Sequence, residues 1–73
     1  MIELAFEFNK AKSDGSFEFY TNDINRLPKG RVVRIYDIHT GKGPKLFYVE
    51  SIGGLGAGGY LHRLMPLPGG DKA

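Results

Sequence analysis

The sequence predicts a mainly β protein, a small antiparallel twisted sheet or partial barrel of four to five strands. Three observations carry that reading. Ile2, Leu4, Phe6 and Phe8 alternate with Glu3, Ala5 and Glu7 in a strict period of two. Residues 31–52 read as two strands around a Gly-Lys-Gly tip, and turn residues recur between every pair of apolar runs. The alternative is an α+β arrangement in which Tyr60 to Met65 forms a short C-terminal helix, since Leu61, Leu64 and Met65 also fit one helical face.

The first strand, Ile2 to Phe8, has one apolar face and one acidic face. Ser13-Asp14-Gly15 is a turn signal, and Phe17 and Phe19 alternate with Glu18 and Tyr20 after it. A two-residue Asp14-Gly15 turn, with opposed residue numbers summing to 29, puts Phe17 and Phe19 on the face of Ile2 to Phe8. Residues 21–30 form a polar connector. Asp23 is positioned to cap a single helical turn that Pro28 would stop.

The hairpin at 31–52 is expected to be the central layer, covered on both faces. With a three-residue loop from Gly41 to Gly43, opposed numbers sum to 84. Arg34 then meets Glu50, Tyr36 meets Tyr48 and Ile38 meets Leu46, while Ile35 meets Val49 and Val33 meets Ser51. Residues 53–59 hold five glycines in seven positions and read as a flexible corner that reverses the chain. Tyr60 to Leu67 favours a strand by length, and Pro66 and Pro68 confine it to an edge. The domain is expected to span 1–67, with 68–73 a flexible tail.

Seventy-three residues make a single domain of marginal stability, without cysteines for disulfides or thiolate metal sites. The longest apolar run is broken by Glu3 and Glu7, so neither a signal peptide nor a membrane span is expected, and the expected compartment is the cytoplasm. Met1 opens the first strand directly, which suggests a stand-alone product. Net charge is +2, but unevenly distributed: residues 26–73 hold eight basic residues against three acids. Six of them, Arg26, Lys29, Arg31, Arg34, Lys42 and Lys45, fall within twenty residues with Asp37 as the one acid. Such a field steers an anionic partner, whether protein or nucleic acid. The structural reading is that they are solvated edge and turn residues.

Signals for chemistry are weak. Gly54, Gly56 and Gly59 match G-x-G-x-x-G after a strand, but too little chain follows for the phosphate-facing helix and its return strand. His39 and His62 are the only histidines and read as exposed structural residues, too few for a zinc site. Ser13, Ser16 and Ser51 lie in no nucleophile motif. Neither a cofactor, a metal nor a small-molecule substrate is expected, and the chain reads as a non-enzyme. Arg31, Arg34, Lys42 and Lys45 flank Tyr36, Phe47 and Tyr48, an arrangement that binds single-stranded nucleic acid when the rings are exposed and forms a core when they are not.

KGRVVRIYDIHTGKGPKLFYVESI followed by GYLHRLMPL resembles the middle and last strands of SH3-like barrels, over about half the chain. In size, autonomy and charge layout the chain is similar in kind to the small regulators by which lytic bacteriophages redirect host RNA polymerase. That resemblance implies a binding protein of the host cytoplasm that docks on the polymerase and regulates transcription. The edge of the first strand (Glu3, Ala5, Glu7) would grip the protein, and the basic residues would lie near nucleic acid. The alternatives are an autonomous RNA- or single-stranded-DNA-binding module, and an inhibitor that blocks an anion-binding site of an enzyme.

Overall fold

The computed structural model describes residues 2–22 and 26–68. Five strands form one sheet: β1 (Ile2–Phe6), β2 (Phe17–Asn22), β3 (Val32–Asp37), β4 (Lys45–Gly56) and β5 (Gly59–Pro66). Their order is β1-β3-β4-β5-β2, and the sheet curls into a half-barrel. A 3-10 turn at Phe8–Lys10 is the one helical element among the described residues. None of these holds a helix long and apolar enough to cross a membrane.

β1 and β2 are not a hairpin. β1 pairs in parallel with β3 (Ile2↔Val33, Leu4↔Ile35), which makes the sheet mixed, and β2 pairs antiparallel with β5 at the opposite edge. The Asp14–Gly15 turn exists, with Gly15 at φ 82°, but it closes the local segment Lys12 to Ser16 (Lys12 N–H to Ser16 O, 2.9 Å). The shared-face expectation survives because parity constrains faces and not neighbours. Curling brings the two edges together, so Phe6 stacks on Phe17 at 5.0 Å between ring centroids and meets Phe19 edge-on at 6.3 Å.

The β3–β4 register also differs from the expectation. Opposed numbers sum to 80: Val33 faces Phe47, Arg34 faces Leu46 and Ile35 faces Lys45. The Arg34–Glu50, Tyr36–Tyr48 and Ile38–Leu46 pairings are therefore absent. Asp37 is the cause. Its carboxylate accepts hydrogen bonds from the N–H of Phe8, His39 and Thr40 and from the Thr40 hydroxyl, while its own N–H donates to Lys42 O at 2.9 Å. The loop thereby closes from Asp37 to Lys42 and takes Gly41 and Lys42 of the tip into it. Gly43 then lies against β3 at φ 128°, where a Cβ would stand 2.9 Å from Ile35 O. The change in register is even, so the faces are preserved and Val33, Ile35, Phe47 and Val49 share the buried side. The other face is only half covered: Arg34, Tyr36, Leu46 and Tyr48 are all intermediate in exposure, contrary to a hairpin sandwiched on both sides.

The glycine segment is strand rather than corner. β4 runs on to Gly56, and the chain reverses at Ala57–Gly58, both at positive φ (49° and 80°) as a two-residue type I′ turn demands. A bulge between Val49 and Ser51 shifts the inward parity from odd to even, which returns Ile52 to the core side, opposite His62. Residues 60–65 are strand, not helix, and β5 is an interior strand between β4 and β2 rather than an edge. Pro66 is tolerated because it is the last residue of β5. Leu27, from the connector, joins Phe17, Val33, Ile35, Phe47, Val49 and Leu64 in the core on the concave side. The expected helical turn after Asp23 and most of the expected tail lie outside the described residues.

Candidate functional site

His62 is fully buried, against the exposed position expected for it. Its Nε2 accepts the Leu27 N–H at 2.9 Å, which places the ring proton on Nδ1, 3.1 Å from Phe19 O. Both ring nitrogens are thus used to tie the connector to β5 and β2, and the role is structural. His39 is exposed, with Nε2 2.6 Å from Glu7 Oε1. That hydrogen bond, with the charges of Glu7 and Asp37, raises its pKa above 6.5. The pair borders a shallow cavity of about 390 Å³, and the residues lining it include neither Ser, Thr nor Cys. A second cavity of about 260 Å³ lies at one end of the half-barrel among Phe8, Phe17, Phe47 and Leu67, with Lys45 at its rim. Among the described residues no cluster of His, Asp or Glu could hold a metal ion.

The six basic residues do not form one cluster. Arg26 lies over the Tyr60 ring, 5.0 Å from its centroid, and Lys29 and Arg31 belong to the adjacent turn, where Arg31 N–H donates to Pro28 O at 3.1 Å. Lys45 lies over the Phe8 ring at 4.8 Å, and Lys42 is exposed in the neighbouring loop. Tyr60 is opposite Gly54, nine positions along β4 from Lys45. At roughly 3.3 Å per residue, that separates Arg26 from Lys45 by about 30 Å, while Arg31, whose carbonyl accepts the Val49 N–H, lies between them. Arg34 stands apart on the convex face, 3.6 Å from Glu3. Five of the six are thus spread along one side of β4 from Lys45 to the level of Gly54, with Arg34 on the other face. Tyr36 and Tyr48 are half-exposed on the convex side, whereas Phe47 is core.

β1 is the outer strand on its side of the sheet. Ile38 N–H donates to Phe6 O at 2.9 Å, so by the alternation of a parallel ladder Ile2, Leu4 and Phe6 turn their backbone groups to β3. Those of Glu3 and Ala5 point to the open side. Glu7, grouped with them from the sequence, is different: its carbonyl accepts the Lys10 N–H and its side chain holds His39.

One polar cluster escaped the sequence reading. Arg63 on the convex face binds both Asp14 and Glu50, the latter at 2.9 Å. Asp14 is held down to about 2 by the Ser16 hydroxyl and N–H and by Arg63. The cluster joins the β1–β2 loop, the β4 bulge and β5. No local spacing could have found it, because residues 14, 50 and 63 meet only through the strand order. No family model matches this chain, and the comparisons with curated proteins and with solved structures found no match.

Proposed function

We propose that this chain is a non-enzymatic binding protein that docks on a larger macromolecular assembly by accepting an extended segment of its partner at the β1 edge. The supporting observation is the outward set of Glu3 and Ala5 backbone groups on a strand whose apolar side chains are committed to the core. Main-chain pairing supplies affinity in such docking, and the flanking side chains supply selectivity. Arg34 is paired with Glu3 on the convex face, and Arg26 and Lys45 lie over the rings of Tyr60 and Phe8 rather than leaving them open for stacking, so autonomous nucleic-acid binding is the less favoured reading. RNA polymerase, implied by the resemblance to phage regulators, is the first partner to test.

Ala5→Pro tests the reading. The Ala5 N–H points away from β3, so proline removes an edge donor without removing a β1–β3 hydrogen bond. With the fold verified by circular dichroism, binding to immobilised purified polymerase and capture of assemblies from lysate should both fall at least tenfold. Undiminished binding by a folded Ala5→Pro chain would show that docking does not use this edge.

A further inference from the structure

The second half of β4 carries two glycines that neither φ nor a close contact requires, just before a second register shift between Gly54 and Gly56. Gly53 and Gly54 lie inside a strand, neither has the positive φ that favours glycine, and a Cβ at either would meet nothing within 4 Å. Gly43 shows the opposite case, since its φ and the nearby Ile35 carbonyl exclude a side chain. Glycine weakens a strand interior, and where local geometry does not require it, it often marks a close approach by another backbone. Among the described residues the edge beside these glycines has no strand on it: the β3 ladder with β4 ends at Val32↔Tyr48, the bonds of Gly30 and Arg31 reach only to Val49, and Ser51 to Gly56 pairs only with β5.

The surroundings select the visitor. On the concave side Gly54 leaves Tyr60 uncovered along the sheet, with the Arg26 guanidinium over that ring. Arg31 stands where the β3 line stops, its carbonyl accepting the Val49 N–H at 3.0 Å. Among the described residues no carboxylate lies within 4 Å of Arg26 or Arg31, whereas Arg34 has one and Arg63 two. On the convex side Gly53 leaves Leu61 reachable, beside Tyr20, which is 63% exposed. We infer that residues 51–56 of β4 form a second strand-addition site, which takes an extended peptide segment alternating acidic and large apolar residues. Its carboxylates would reach Arg26 across Gly54 and Arg31 at the end of the β3 line, and its apolar side chains would cover Leu61 and Tyr20 across Gly53. A peptide fits better than a nucleic acid, because an open strand edge offers a ladder of N–H and C=O groups and the Tyr60 ring is already capped by Arg26.

The test uses the full ¹⁵N-labelled chain and an acetylated, amidated (Glu-Val)₄ peptide, with a (Lys-Val)₄ peptide and an oligo(dT) 12-mer as comparisons. The acidic peptide should shift the amides of residues 51–56 and slow their exchange, with affinity at least tenfold lower for Arg26→Glu or when Gly53 and Gly54 are both replaced by Val. Ala5→Pro should leave these shifts intact, which separates this site from the β1 edge. Three outcomes would each overturn the inference: no shift at 51–56 with millimolar (Glu-Val)₄, an equal response to (Lys-Val)₄, or a response to oligo(dT) alone.

Discussion

The two halves of β4 belong to one strand and are held by different forces. From Lys45 to Val49 the strand has neighbours on both sides, and Phe47 and Val49 are buried at 3% and 0% exposure. From Ser51 to Gly56 it has a neighbour on one side only, and its residues are exposed except Ile52. Side-chain burial defines the first half, whereas backbone pairing with β5 and the Ala57–Gly58 turn define the second. A strand can therefore be continuous in hydrogen bonding while its sequence requirements change completely across one bulge.

The largest expected break falls in the buried half. Phe47→Ala removes a ring that packs on Phe17 at 5.5 Å and should cost about 3–5 kcal/mol. A domain of this size holds on the order of 4–11 kcal/mol in all, so urea unfolding should show the variant at or near the loss of its folded state. Next comes His62→Ala, which leaves the Leu27 N–H unpaired and should cost about 1–3 kcal/mol by the same measurement. Gly43→Ala should cost roughly 1–3 kcal/mol, since it forces a side chain onto positive φ against Ile35 O.

In the bare half the sign reverses. Gly54→Val should leave stability unchanged or raise it by up to about 1 kcal/mol, read as a thermal midpoint a few degrees higher. A destabilised Gly54→Val chain would show that the two halves are constrained alike. The smallest effect belongs to the loop that closes the buried half. The folded pKa of His39 is raised by Glu7, so its contribution is fully present below about 6.5 and is lost as pH rises through the folded value. Asp37 runs the other way: lowered from 3.8 to about 2, first by the Phe8 N–H and then by Thr40, it stabilises above 3.8 and loses that contribution as pH falls through 2. An NMR titration of the His39 ring should give a midpoint above 6.5 that drops in Glu7→Gln.

Period-two alternation, turn residues and the absence of a chemical motif were legible along the chain. They determined that the protein is mainly β, that Ile2, Leu4 and Phe6 face the same core as Phe17, and that Val33, Ile35, Phe47 and Val49 share a side, because alternation is a local property of an extended backbone. The exposed side chains of Glu3 and Ala5 followed from the same alternation, but the edge role of β1 did not. Tertiary structure alone decided which strands are neighbours, where the ladders start and where the charges end up. Asp37 reset the hairpin through hydrogen bonds to Phe8, β1 crossed to β3, and a bulge carried β4 on through its glycines. Partner choice between strands depends on contacts distant in sequence and on the curl of the sheet, and neither leaves a periodic trace in 73 residues.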